Sequence, residues 1–322
     1  ARIEQDGIAT DLKMVEYLAR EFSHRSNWDV RLSKTMFELL VPNDFKSIIR
    51  NQNNMVWKMD EYSAQFPWEM FHDYTSIDNA RNETPTFVNT GMIRQLLTDK
   101  YRNNPIMAEE NKAFVVGDPD YTDSGFSQLS GAEREAIEVT RLLNDNKFQV
   151  TSLIRRNAQD IITDLYSEQY RVMHFAAHGL YQDEEVNGEV RKKVGIVLGK
   201  DLILEPGMIN QLSYVPEFIF INCCYSIDMT GLDEKYYKGR SNLAANIGTQ
   251  LIKMGVKAVV AAGWAVNDAA AHTFSTELYR KLFDGYEFGD AVLSARRKCY
   301  DNHPDNNTWG AYQCYGDHYY KL

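Results

Sequence analysis

Two apolar runs in this chain stop at residues able to do covalent chemistry. Val172-Met173-His174-Phe175-Ala176-Ala177-His178-Gly179 ends on an imidazole followed by glycine, and Phe218-Ile219-Phe220-Ile221-Asn222-Cys223-Cys224 ends on a thiol. A thiol attacks a carbonyl as the thiolate; a neighbouring imidazole makes it by taking the proton, then returns that proton to the leaving group. The pair therefore reads as the dyad of a cysteine protease. Its members are far apart in sequence, so the fold must bring them together. A short apolar run that breaks off at polar or small residues is the pattern of a buried parallel strand, and ligands gather where such strands end.

Alternating elements are predicted to supply that sheet. Asp11 to Arg25 carries a helical stripe, Phe37–Pro42 and Met55–Asp60 read as strands, and Asn103-Asn104-Pro105 marks a boundary by its turn composition. From Ala113 the order becomes regular: strand Phe114–Gly117, helix Ala132–Leu143, strand Gln149–Leu153, helix Ala158–Tyr166 and the histidine strand. Strand Val194–Leu198, helix Pro206–Leu212 and the cysteine strand follow. Then come helix Asn242–Met254, strand Val256–Ala261, helices Asp268–Phe283 and Phe288–Tyr300, and a last strand near Trp309–Cys314. Strands separated by helical stretches of this length imply βαβ units, hence an α/β fold with a mostly parallel twisted sheet and helices on both faces.

Composition narrows what such a fold could serve. The 322 residues are 44% hydrophobic and 25% charged, enough for one large or two modest domains. A net charge of -10 argues against a nucleic-acid groove. No apolar stretch approaches the roughly 20 residues of a membrane helix. Of the four cysteines, Cys223 and Cys224 are adjacent while Cys299 and Cys314 are scattered, without zinc spacing, so the thiols read as unbridged and the protein as cytoplasmic. No metal or organic cofactor is expected. The start, Ala1-Arg2-Ile3, reads as a cut from a longer polypeptide, with upstream domains missing.

Four motifs together resemble the CHAT domain, the separase-like branch of the caspase-like cysteine peptidases: His174-Phe175-Ala176-Ala177-His178-Gly179, Asn222-Cys223-Cys224-Tyr225-Ser226, Val259 to Asp268, and Trp309 to Asp317. Val116-Gly117-Asp118-Pro119, Leu129 to Ala136 and Pro67-Trp68-Glu69 fit the same pattern. The resemblance implies a caspase-like protease domain over 111–322, preceded over 1–110 by a smaller, inactive caspase-like half that supports it. It selects His178, the histidine before glycine, and Cys224, with Cys223 standing where the family has alanine. The other reading of both thiols is as small buried hydrophobes. His174, on the same face at a period of two, reads as structural and is open to an orienting role.

The backbone N–H groups of Gly179 and Cys224 are expected to form the oxyanion hole. By the resemblance, Asp268 and Trp264 help to build the pocket for the residue before the scissile bond, where an acid would select Arg or Lys. Asp268 also opens a helix, and a helix-terminal charge explains it equally well. Asp228 is a further acidic candidate, with Tyr225 and Ser226 beside it, and Gln182–Lys193 and Asp228–Arg240 read as loops flanking the site. The resemblance implies a regulated endopeptidase in bacterial defence or signalling, with an upstream sensor such as tetratricopeptide repeats. Its targets would be a gasdermin-like pore former, a caspase-like zymogen or a CRISPR-associated protein. A catalytically idle CHAT module acting in protein binding is the alternative, and hydrolysis of a small ester or amide is chemically open to the same dyad.

Overall fold

The computed structural model describes residues 12–24, 27–49, 52, 54–73, 84–186, 189–200, 202–224 and 240–322. The chain opens with three helices, α1 (Leu12–His24), α2 (Val30–Leu40) and α3 (Asn43–Ile49), followed by strand β1 (Met55–Met59), helix α4 (Thr86–Thr90) and strand β2 (Met92–Leu96). Next come β3 (Lys112–Gly117), α5 (Ser130–Asp145), β4 (Gln149–Ile154), α6 (Ala158–Leu165), β5 (Val172–Val186), β6 (Glu189–Gly199) and β7 (Leu202–Leu204). The chain closes with α7 (Pro206–Ile209), β8 (Phe218–Cys224), α8 (Arg240–Met254), β9 (Ala258–Ala262), α9 (Asp268–Phe283), α10 (Phe288–Asn302), α11 (Thr308–Ala311) and β10 (Tyr312–Gly316).

The central sheet runs in the order β1-β2-β10-β9-β8-β5-β3-β4, so the expected α/β class holds. All neighbours on this path are parallel except β9 and β10. The centre is largely apolar, as strands covered on both faces require: Phe114, Val115, Phe175, Phe218, Ile219, Phe220, Val259 and Val260 are all buried, with His174, Asn222 and Gln313 as buried polar exceptions. Alternation along β10 shows which helix covers which face. Tyr312 stacks on Phe274 of α9 with ring centroids 4.1 Å apart. Tyr315, on the opposite side, lies where a Cβ on Gly248 of α8 would come within 2.6 Å of its ring. Helices therefore lie on both faces.

Chain order reverses at β3 and β5. From β3 the chain steps outward to β4, then crosses back to β5 on the other side of β3 and continues to β8. The connections leave the carboxyl edge in opposite directions and open a crevice there, which is where α/β sheets place their ligands.

Three parts of the chain differ from expectation. Phe37–Pro42 is not a strand: α2 runs to Leu40, with Ser33, Met36, Phe37 and Leu40 buried at helical spacing. Asp29 caps it by accepting the N–H groups of Arg31 and Leu32 at 2.9 and 3.0 Å. The apolar end of an amphipathic helix looks like a strand in a window too short to show its period. β2 was not anticipated, because a charged residue, Arg94, stands at its centre. Gln182–Lys193 is not a loop over its described residues but a hairpin. β5 and β6 pair antiparallel, with Gln182 opposite Lys193, Asp183 opposite Lys192 and Glu184 opposite Arg191. This register sets acidic positions of one strand against basic positions of the other, so a composition that reads as a solvated loop can sustain strand pairing. Of the second expected loop, residues 228–239 lie outside the described residues, and Arg240 is the first residue of α8.

β1 and β2, from the first 110 residues, belong to this same sheet, and Phe66, Trp68 and Phe71 are buried. Trp68 packs on Trp57 of β1 and on Phe71 with centroids 5.0 and 5.1 Å apart, so these aromatics fill the core beside β1. Glu69 is wholly buried and pairs with Arg94 of β2 through both carboxylate oxygens. Arg94 also donates to the carbonyls of Ala64 and Phe66 and to the Tyr315 hydroxyl of β10. One guanidinium thus ties the Ala64–Glu69 segment to two strands of the sheet.

Candidate active site

Parallel register brings the chemistry-bearing ends together. β5 and β8 pair from Val172 with Phe218 to His178 with Cys224, so the histidine and the cysteine occupy the same rung at the carboxyl edge. Adjacent strands lie about 4.8 Å apart, which puts neighbours on one rung within side-chain reach. The flanking elements make this rung the last one: β8 ends at Cys224, and β5 continues into the hairpin with β6.

The segment between β3 and α5 closes over the imidazole. His178 Nε2 lies 2.7 Å from the carbonyl oxygen of Ser127. A carbonyl can only accept, so Nε2 carries the hydrogen, and in the neutral ring Nδ1 is then the basic nitrogen. The Tyr121 and Phe126 rings pack on the imidazole at centroid distances of 4.9 and 5.0 Å. Tyr121 also accepts the His178 backbone N–H at 3.1 Å and donates to the Val197 carbonyl of β6 at 3.1 Å. His178 is 1% exposed, so this segment walls it in.

Asp118 shapes that segment. It turns the chain at the end of β3 with a left-handed φ of 44°, a conformation Asp tolerates better than most residues. Its Oδ1 accepts the Leu129 N–H at 2.7 Å and Gln128 Nε2 at 2.8 Å, while Gln128 Oε1 accepts the Tyr121 N–H at 2.8 Å. Residues 118–129 are thereby closed into a compact loop that presents the Ser127 carbonyl. Arg155 lies 3.2 Å from Asp118 Oδ2.

Burial pushes the His178 imidazole below the ordinary histidine value of 6.5, while the Ser127 carbonyl and the Asp118 charge act upward. The ring is accordingly neutral near pH 7, as a proton acceptor must be. Because the folded value lies below the unfolded one, this group's contribution to stability is present above 6.5 and is lost as pH falls through the folded value. NMR titration should give His178 a midpoint below 6.5, and Asp118→Asn should lower it further by removing an upward influence. An unchanged or raised midpoint in that variant would show that Asp118 does not act on the ring.

Gly179 is fixed by close packing. A Cβ there would lie 2.7 Å from Leu243 Cδ2 of α8 and 2.9 Å from the Cys223 carbonyl oxygen. Cys223 itself is buried.

A family model for the CHAT domain matches residues 30–317, nearly the whole chain. The chain belongs to the CHAT family. No curated protein matches it. Among solved structures this CHAT domain is similar to the Arg-specific cysteine proteinase gingipain R, at 13% identity and a TM-score of 0.45, over 79% of this chain and 59% of that one. It is also similar to the complex of Porphyromonas gingivalis gingipain R pro- and mature domains, at 11% identity and a TM-score of 0.49, over 95% of this chain and 76% of that one. The Saccharomyces cerevisiae separase–securin complex matches at 16% identity and a TM-score of 0.44, over 80% of this chain and 15% of that one. The match thus spans 59% of the gingipain R chain and 15% of the separase chain.

The remaining candidates lie beyond β9. Trp264 is buried and its indole N–H donates to Asn307 Oδ1 at 3.2 Å. Asp268 is exposed at the first turn of α9, which Asn267 caps by accepting the N–H groups of Ala269 and Ala270. Its carboxylate also approaches the first turn of α5: a Cβ on Gly131 would fall 2.2 Å from it. The side chain therefore meets two helix N-termini at once, which favour its charge. Asp228, Tyr225 and Ser226 lie outside the described residues.

Asp118, Tyr121 and Ser127 had no role assigned from sequence. The Gly117-Asp118-Pro119 turn was visible as a motif, but Ser127 acts through a carbonyl that every residue carries. Nothing in its side-chain type could have marked it.

Proposed function

We propose that this CHAT domain is a cysteine endopeptidase in which Cys224 is the nucleophile and His178 the general base and acid. The observation that carries the reading is the pairing of His178 with Cys224 on the last rung of β5 and β8, at the crevice where chain order reverses. The tautomer set by the Ser127 carbonyl supports it. His178 Nδ1 takes the thiol proton, the thiolate adds to the scissile carbonyl, and the backbone N–H groups of Gly179 and Cys224 stabilise the oxyanion. The same imidazole then returns the proton to the departing amine, and water, activated in turn, releases the acyl group from sulfur.

Asp268, at the adjoining first turns of α5 and α9, is the acid that would select Arg or Lys before the scissile bond, with Trp264 supporting the segment and Asp228 as a further contributor. Asp268→Ala should then abolish a basic preference at that position in peptide profiling. Persistence of the preference would leave Asp268 with only its helix-terminal role. In keeping with the resemblance, the substrates are specific proteins in bacterial defence or signalling, the location is cytoplasmic, and a sensor domain controls the activity. Residues 1–110 then act as the inactive half that supports the protease sheet.

The enclosure of His178 by Tyr121 and Phe126 favours a second reading, a binding module whose dyad stays closed. Incubating the protein with a diverse peptide library, with the Cys224→Ala variant as control and mass spectrometry as readout, separates the two. Cuts that depend on Cys224 support the peptidase; their absence, with the thiol unreactive as well, supports the binding module.

A further inference from the structure

A buried polar chain runs beneath the dyad and is not used by the chemistry above. At its centre is Glu135 of α5, 2% exposed. Asn222 Nδ2 donates to Glu135 Oε2 at 2.6 Å, and the Tyr312 hydroxyl of β10 donates to Asn222 Oδ1 at 3.3 Å. On the other side, Glu135 Oε1 lies 3.4 Å from His174 Nε2, and His174 Nδ1 lies 3.2 Å from the Tyr279 hydroxyl of α9. His174 is wholly buried and stacks on Phe220, its partner across β5 and β8.

The places of these residues matter more than their number. His174 stands four residues before His178 on β5, and Asn222 stands two residues before Cys224 on β8. Glu135 contacts both, so one carboxylate spans the two strands that carry the dyad. It also sits on the helix that begins at Ser130, directly after the loop whose Ser127 carbonyl holds the His178 ring. The histidine strand and the cysteine strand therefore meet at a single side chain, carried by the helix that follows the loop over the imidazole.

Stability alone does not call for a carboxylate there. Buried ionisable groups with polar partners often contribute no more than apolar residues of similar volume, because desolvation offsets the attraction. What they do impose is direction: the Asn222 hydrogen bond to the planar carboxylate specifies angle and distance, the other oxygen meets His174 in a close polar contact without hydrogen-bond geometry, and an apolar residue would specify only volume.

From this geometry we infer that Glu135 is a positioning residue, acting through Asn222 and His174 to hold the ends of β5 and β8 in the register the dyad needs. The inference rests on the peptidase reading for its consequence in turnover, but its geometric content can be read from the Cys224 thiol alone.

The test uses Glu135→Gln, which keeps shape and removes the charge, and Glu135→Leu, which fills the space without directing it. Three quantities are measured on the whole protein: the thermal midpoint, the pH profile of Cys224 alkylation by iodoacetamide corrected with Cys224→Ala, and kcat and KM on a cleaved peptide. The expected result is a folded Gln variant with a midpoint within a few degrees of the parent. Its alkylation at pH 7 falls at least tenfold, its alkylation profile moves along the pH axis, and kcat falls while KM stays within twofold. The Leu variant, if folded, shows a larger loss.

Parental alkylation rate and profile in either folded variant would overturn the inference. So would a Gln variant that fails to fold, because the carboxylate would then serve the fold as a whole. If the parent protein alkylates at Cys224 in a Glu135-dependent way but cuts no peptide, the positioning role stands and the peptidase reading fails. If it cuts peptides and Glu135 leaves both alkylation and kcat unchanged, the reverse holds.

Discussion

Cys224→Ala is expected to abolish labelling by an acyloxymethyl ketone and to reduce peptide cleavage by a factor on the order of 10⁴ or more, as loss of a covalent nucleophile does in other hydrolases. Cys223→Ala is the informative companion. Cys223 is 1% exposed and its backbone carbonyl packs against Gly179, so its substitution removes a small buried side chain. That should cost about 1 kcal/mol of stability and leave labelling in place. Intact-mass spectrometry after labelling, with the thermal midpoint of each variant, distinguishes the two. Labelling that survives in Cys224→Ala and disappears in Cys223→Ala would move the nucleophile by one residue and break the pairing with His178.

The second large effect concerns the fold. Glu69→Ala should destabilise the protein by about 3–5 kcal/mol, the range for removing one partner of a buried ion pair. Burial pulls the pKa of Arg94 down, and the Glu69 charge is the chief influence that holds it above the ordinary arginine value. Without Glu69 the guanidinium keeps the carbonyls of Ala64 and Phe66 and the Tyr315 hydroxyl but loses its counter-charge. The expected fall in thermal midpoint is on the order of 10 °C. Since the pair joins the Ala64–Glu69 segment to β2 and β10, proteolysis of the variant should begin in the first 110 residues. A variant as stable as the parent would mean that Arg94 finds its balance elsewhere.

Burial acts differently at His178. There the loop over the ring, through Tyr121, Phe126 and Ser127, sets both its enclosure and its tautomer. Opening that loop would hydrate the imidazole and move its titration up toward the ordinary value, so exposure and basicity are coupled in one element.

Much of this was legible in the chain. The continuous apolar runs of β3, β5, β8 and β9 announced a sheet buried on both faces, because such strands have no solvated side to alternate toward. α9, from Asp268 to Phe283, has the bounds its spacing and start signal implied. His178 and Cys224 stood out because each ends such a run, and parallel pairing of two runs that end in chemistry puts those ends side by side. Other parts were hidden for definite reasons. β2 has a charge at its centre whose partners, Glu69 and the carbonyls of Ala64 and Phe66, lie far from it in sequence, and α2 and the β5–β6 hairpin resemble other structures when read in short windows or by composition.

What the sequence determined by itself was the α/β class, the positions of most central elements and the residues, His178 and Cys224, at which the two apolar runs stop, since these follow from local periodicity and residue type. Only the tertiary structure decided the rung on which His178 meets Cys224, the carbonyl of Ser127 as the partner of the imidazole, and Glu135 as the link between the two strands. Each of these depends on register, backbone groups or contacts across long sequence separations, and no residue type encodes them where it stands.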